Sequence, residues 1–308
     1  MATEKKMPNS IKFLFGGMAG MAATCFVQPL DLVKTRMQVS GIDGKKEFKS
    51  SFHCLQTVIS KEGPLAIYQG IGAGLLRQAT YTTARLGAYT WMNDQYRVTY
   101  SSEPTFLLRA TMGMIAGAIG AFVGTPADLA LIRMAADGRL PPAERRNYKN
   151  VVNALTRIAR EEGPLMLFSG CVPTVSRAIV VNMAQLASYS QAKEMIKKNW
   201  SIGDGIGLHF GASMISGLLT TIASMPVDIV KTRIQNMKTV NGKPEYSGGL
   251  DVLSKVIKNE GVLALWKGFT PYYCRLGPHT VLTFIFLEQL NRLYFKHVLG
   301  VEGGSSGI

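Results

Sequence analysis

Pro29-Leu30-Asp31-Leu32-Val33-Lys34-Thr35-Arg36 returns as Pro126-Ala127-Asp128-Leu129-Ala130-Leu131-Ile132-Arg133, and again as Pro226-Val227-Asp228-Ile229-Val230-Lys231-Thr232-Arg233. The copies stand 97 and 100 residues apart, so the 308-residue chain is a tandem triplicate. Each copy sets a proline and opposite charges at the foot of a long uncharged run. Charge in or near lipid is expensive and marks a working position.

A second motif keeps the same period. Glu62-Gly63 leads to Tyr68-Gln69-Gly70, Glu162-Gly163 to Phe168-Ser169-Gly170, and Glu260-Gly261 to Trp266-Lys267-Gly268. Seven residues beyond each closing glycine stands an arginine: Arg77, Arg177 and Arg275. The period divides the chain into an extension (1–9), three repeats (10–104, 105–204 and 205–298) and a Gly/Ser-rich tail (299–308).

Mean hydropathy is only +0.12, so the local pattern must decide the class. Residues 13–30, 110–127 and 205–227 hold no charge. Each stretch is long enough to cross a hydrocarbon core of ~30 Å at ~1.5 Å per helical residue. Three further segments, 78–93, 178–192 and 276–287, each begin just after a repeat arginine, and the first contains Arg85. The expected fold is an all-α membrane protein of six tilted helices, a threefold pseudosymmetric barrel whose polar faces line a shared interior.

The formal net charge is +14. Basic patches bind phosphates, yet these cations interrupt membrane-length apolar runs instead of forming one face, so no nucleic-acid partner is expected. Of 34 Lys and Arg, 20 fall in residues 34–61, 131–162 and 231–267, against four in 94–104 and 193–204. That bias puts the connections after the odd-numbered helices on the inner side and suits anionic lipid head groups. Cys25, Cys54, Cys171 and Cys274 are scattered and expected to be reduced thiols. The four histidines lack metal-ligand spacing, and residues 1–10 lack a signal-peptide core. Without a phosphate loop, nucleophile elbow or dinucleotide fingerprint in context, neither an enzyme nor a cofactor is expected.

Each repeat reads as helix, short surface helix, helix. Gly16 and Gly20, Gly113 and Gly117, and Ser213 and Gly217 stand at four-residue spacing, which suits close helix packing in lipid. Pro29, Pro126 and Pro226 fall inside helical patterns and are expected to kink them. Short amphipathic helices are expected near 51–61, 151–161 and 249–259, with the even-numbered helices over 71–98, 171–198 and 269–297.

With threefold symmetry, an aspartate on one odd-numbered helix can meet a lysine on its neighbour. Asp31, Asp128, Asp228, Lys34 and Lys231 would then close the inner mouth as an ionic gate with two states. Leu131 replaces the third lysine, so two such pairs are expected. Gln38 and Gln235, one turn further on, could bridge those pairs from below.

Arg77, Arg177 and Arg275 would converge halfway through as a cationic site, and the planar fork of arginine fits carboxylate or phosphate oxygens. A small substrate is not threefold, so differences between repeats point to its contacts. Residues Arg77, Tyr81 and Arg85 form a ladder on one helical face that repeats two and three lack. With Gln78 and Asn182 this gives separated cations and neutral hydrogen-bonding groups, suited to a molecule with a carboxylate at each end.

The pattern Pro-x-Asp-x-x-Lys-x-Arg (Leu131 at the lysine position of repeat two) followed by Glu-Gly-x4-aromatic-x-Gly, three times over nearly the whole chain, resembles the mitochondrial carrier family. The resemblance implies a multi-pass protein of the mitochondrial inner membrane, with both termini towards the intermembrane space and one central site served by alternating access. It places the short helices and the gate on the matrix side and implies an anionic lipid partner, cardiolipin. Residues 74–87, 181–190 and 269–280 are similar to the dicarboxylate-exchanging branch, which implies 2-oxoglutarate, malate and related dicarboxylates as cargo, with Arg77, Arg177 and Arg275 as contacts and Tyr81 and Arg85 beside them. Other small anions, or a proton-leak or interaction role, stay open at this point. The family's outer-side motif is matched only in part by Tyr89-Thr90, Tyr189-Ser190 with Lys193, and Phe286-Leu287-Glu288, which implies a weak outer gate.

Overall fold

The computed structural model describes residues 9–40, 47–140, 145–200, 206–237, 239–240 and 243–298. The expected tail and all of the expected extension except Asn9 lie outside them. Six long helices carry the fold: α1 (Asn9–Val39), α3 (Ile71–Tyr100), α4 (Phe106–Asp137), α6 (Cys171–Trp200), α7 (Ile206–Asn236) and α9 (Phe269–His297). Between the long helices of each repeat lie α2 (Ser51–Glu62), α5 (Val151–Arg157, continued by a wider turn over Ile158–Glu162) and α8 (Gly249–Glu260). Among the described residues the only paired strands form a two-residue ladder, β1 (Thr239–Val240) on β2 (Lys243–Pro244).

Each long helix packs on the next, and α9 returns to α1, which closes the barrel. Segments Phe106–Asp137, Pro164–Ile196 and Gly211–Asn236 reach mean hydropathies of 1.7, 1.5 and 1.4 in their most apolar stretches, enough to cross a bilayer. Helices α1, α3 and α9 are as long, at 31, 30 and 29 residues, but mix polar and apolar faces. Ile115, Ile119 and Phe122 stand exposed on one stripe of α4, the side a lipid chain would wet.

Small residues set some of these contacts, though not at every expected place. A Cβ added at Gly16 or Gly113 would meet nothing within 4 Å, and Ser213 is exposed, so the first member of each spaced pair does not pack. The second members do: Gly20 backs on Gln78, Gly117 on Asn182 and Gly217 on Leu276. The closest approach to a neighbour's backbone lies one turn further along α4, where a Cβ on Gly120 would sit 3.0 Å from both the Tyr81 carbonyl and Arg85 Cβ.

Pro29, Pro126 and Pro226 each lie inside a helix that continues past them. Proline removes the amide that would serve the carbonyl four residues earlier. For Pro226 that carbonyl is Ile222, and the Trp266 indole supplies the missing donor at 3.0 Å. Each odd-numbered helix end then packs on its own short helix. Leu32 and Val33 bury against Cys54 and Val58, Ala130 and Leu131 against Ala154, and Ile229 and Val230 against Val252 and Val256. Ser50 and Asn150 cap α2 and α5 by accepting from the amides of His53 and Asn153. The turns back into the barrel need left-handed backbone, which glycine adopts at no steric cost. Both glycines of the second motif provide it, at φ of 91° and 81°, 95° and 75°, and 86° and 83° in the three repeats.

Candidate transport site

The three aspartates sit two residues past the prolines, one per repeat, at the end of the barrel that bears the short helices. Lys34 Nζ lies 2.6 Å from Asp228 Oδ2, and Lys231 Nζ lies 2.5 Å from Asp128 Oδ2. Each lysine therefore reaches the aspartate of a neighbouring repeat, in the two pairs that Leu131 leaves room for. Asp31, left without a lysine, is taken by an arginine instead: Arg275 Nη1 is 2.5 Å from Asp31 Oδ1.

The other two repeat arginines descend to the same level. Arg177 pairs with Asp228, and Arg77 Nε is 3.8 Å from Asp128 Oδ1. A separate cationic site above the gate is thus not what forms. A guanidinium held among membrane helices takes the nearest counter-charge, and arginine's long side chain reaches the aspartates, so site and gate merge into one network. Five cations face three carboxylates in it, a surplus of two positive charges. The Nε groups of Arg77 and Arg275 are buried without a hydrogen bond, so both keep donor capacity.

Above the network lies a cavity of about 490 Å³ lined by Arg77, Arg177, Arg275, Gln78, Tyr81 and Arg85, as well as Thr82, Tyr89 and His279. It extends along α3 from Arg77 to Tyr89, on the order of 18 Å at 1.5 Å per residue. Arg85 stands two turns beyond Arg77, and among the described residues no ion pair is formed by it. The cavity has room for a molecule of several carbons, with cations at two depths.

Three expected contacts fall elsewhere. Asn182 does not line the cavity; its amide donates to the Ala178 carbonyl of its own helix at 2.7 Å and faces Gly117. Gln38 and Gln235 bridge no ion pair. Gln38 accepts from Thr232 at 2.8 Å, and Gln235 donates to Thr174 at 3.4 Å, because both side chains lie buried in the seams between repeats, away from the axis. Gln78 lines the cavity but donates to Thr82 at 3.1 Å.

Beneath the gate lies a layer that the motif contains but its charge pattern did not assign. Arg36, Arg133 and Arg233, the last residue of each copy, are at most 2% exposed. Arg36 pairs with Glu62, Arg133 with Glu162, and Arg233 with Glu260 at 2.5 Å, each within its own repeat. The Nε of each also donates across a seam: Arg36 to the Ala135 carbonyl at 3.0 Å, Arg133 to Gln235 at 3.1 Å and Arg233 to Gln38 at 3.3 Å. Those carbonyls belong to the last turns of odd-numbered helices, the negative ends of the helix dipoles. The signal was available in the recurrence of the buried Arg with the Glu-Gly motif. At the other end of the barrel, Glu288 pairs with Arg292 of its own helix at 2.6 Å.

A closed barrel of membrane helices whose water-accessible, cationic interior is sealed at one end by ion pairs defines a carrier of anions. The chain belongs to the mitochondrial carrier family: the sequence profile of the Mitochondrial carrier protein family matches residues 5–98, 102–200 and 204–298. That family comprises carriers, not enzymes, and sets the chain in a mitochondrial membrane. The chain is 63% identical to the mitochondrial 2-oxoglutarate/malate carrier protein of Caenorhabditis elegans, over 97% of both chains. It is 65% identical to the protein of that name from Homo sapiens, over 93% of this chain and 92% of the other. The mitochondrial dicarboxylate/tricarboxylate transporter DTC of Arabidopsis thaliana is 45% identical over 96% of this chain and 99% of the other.

Proposed function

We propose that this protein exchanges 2-oxoglutarate for malate or a related dicarboxylate across the mitochondrial inner membrane by alternating access. The observation that carries this reading is the surplus of two positive charges in the gate network, which a dianion balances. Arg77, Arg177 and Arg275 bind the carboxylate nearer the gate, Arg85 takes the further one, and Gln78 and Tyr81 line the path between. Names of relatives at 63–65% identity support the choice of cargo. Captured substrate draws the three arginines off Asp31, Asp128 and Asp228, which loosens the closed end. In this reading the gate faces the matrix, both termini face the intermembrane space, and the basic short helices rest on anionic lipid such as cardiolipin.

The test is uptake of labelled 2-oxoglutarate by liposomes loaded with malate. Arg177→Ala abolishes uptake; uptake at the parent rate would refute the site. A screen of counter-substrates in the same vesicles separates dicarboxylate exchange from carriage of phosphate or other anions. Proton flux that Arg177→Ala leaves untouched would favour a leak protein instead.

A further inference from the structure

Tyr272 touches three cations at once. Lys34 Nζ stands 4.0 Å from its ring centroid, and the guanidinium carbons of Arg275 and Arg177 stand 5.7 and 5.8 Å away. Arg177 Nη2 also donates to its hydroxyl at 2.9 Å. The residue is 3% exposed. Of its three cations, Lys34 belongs to the gate, and Arg177 and Arg275 belong to the proposed substrate contacts. Only Asp228 and Asp31 pair with them, so the remaining positive charge rests against the electron-rich ring face.

The symmetry of the repeats isolates the role. Tyr272 lies three residues before Arg275; the matching positions are Gly74 and Thr174. Each position faces the gate segment of the odd-numbered helix packed against it. Tyr272 meets Lys34, a Cβ on Gly74 would lie 3.8 Å from Leu131, and Thr174 meets Gln235 of α7. The aromatic ring thus stands opposite a lysine, and the glycine stands opposite the leucine that replaces one. Neither Gly74 nor Thr174 offers an aromatic face to a cation.

We propose that Tyr272 is a positioning residue that transmits substrate capture to the Lys34–Asp228 pair. Its ring seats Lys34 while the gate is closed. Its hydroxyl follows Arg177 when that arginine turns to a substrate carboxylate, which tilts the ring from under Lys34 and lets the lysine leave Asp228. This deepens the function proposed above and rests on it.

The experiment compares Y272F and Y272L with the parent in liposomes, reading exchange kinetics and unidirectional efflux into medium without counter-substrate. Y272F keeps the seat and loses the link, so its maximal exchange rate falls about tenfold, the scale of one hydrogen bond to a charged group, while KM stays within about twofold. Y272L loses the seat, so efflux without exchange rises about tenfold by the same scale for a desolvated cation–π contact. A purely structural role would lower both rates together in both variants. Parent-like exchange in Y272F, or parent-like efflux in folded Y272L, overturns the proposal. If Y272L does not fold, the near-isosteric Y272F decides alone. A parent that fails to exchange 2-oxoglutarate sinks the proposed cargo instead, and the comparison is then run with the anion it does carry.

Discussion

Arg275 of α9 meets Asp31 of α1 at 2.5 Å and so takes the aspartate that a lysine at position 131 would have held from α4. A proposed substrate contact therefore does double duty as a gate residue, and Asp31 loses its partner while Arg275 holds a carboxylate.

Leu131→Lys supplies the absent partner for Asp31. The closed end gains a pair that no substrate can remove, so the melting temperature rises by about 2 °C or more, the scale of a gain near 1 kcal/mol, and the maximal exchange rate falls. Adding Asp31→Asn removes the gain in melting temperature. A melting temperature lower in Leu131→Lys than in the double variant would show that the lysine is not paired.

Arg36 is 1% exposed and holds both Glu62 and the Ala135 carbonyl. Removing one partner of a buried pair costs about 3–5 kcal/mol, so Arg36→Ala lowers the melting temperature by roughly 10 °C on the scaling for chains of this size. Glu62→Gln, which keeps acceptor capacity, loses less. Equal loss in the two would place the effect in the ion pair with Glu62 alone.

Gly120→Ala and Gly16→Ala separate packed from unpacked glycines. The first drives a methyl to 3.0 Å from the Tyr81 carbonyl, a backbone atom that cannot swing aside. It costs about 1–3 kcal/mol as overpacking and displaces the Tyr81–Arg85 face, lowering transport. Gly16→Ala meets nothing within 4 Å and leaves transport and melting as in the parent. Similar behaviour of the two would mean that α3 and α4 do not depend on this approach.

Glu260 on α8 sits below its ordinary carboxyl value: burial pushes it up, but Arg233 and Lys267 outweigh that. A depressed carboxyl stabilises the fold at pH above its unfolded value of ~4.5, and the gain is lost as pH falls through the folded value. The melting-temperature gap between the parent and Glu260→Gln is therefore widest near neutrality and narrows below pH ~4.5. A gap independent of pH would show the carboxylate charge to be irrelevant.

Cys54 is fully buried between α1 and α2, and burial pushes its thiol up to about 12. The reactive species is the thiolate, so a maleimide at neutral pH modifies Cys54 only after unfolding. Mass spectrometry before and after denaturation reads the outcome directly, and labelling of the folded protein at Cys54 would show that α2 opens.

Much of this was legible because the chain repeats itself. Two motifs in threefold register showed six long helices and located the three even-numbered ones to within a few residues, and Leu131 announced two lysine pairs instead of three. Side-chain direction was harder to read. Asn182 shared a helix with Arg177, yet the close approach of Gly117 turned its amide onto its own backbone. The merging of site and gate escaped because spacing along a helix gives the height of a Cα, whereas a guanidinium acts several ångströms away. Tyr272 was invisible for another reason: its partners Lys34 and Arg177 come from different repeats.

The buried arginines below the gate have a mechanical consequence. Each is anchored to a glutamate at home and holds a carbonyl next door, running from α1 to α4, from α4 to α7, and from α7 back to α1. Such a cycle has no free end, so one repeat tilting outward must tug on both others, and the three turn together like meshed cogs.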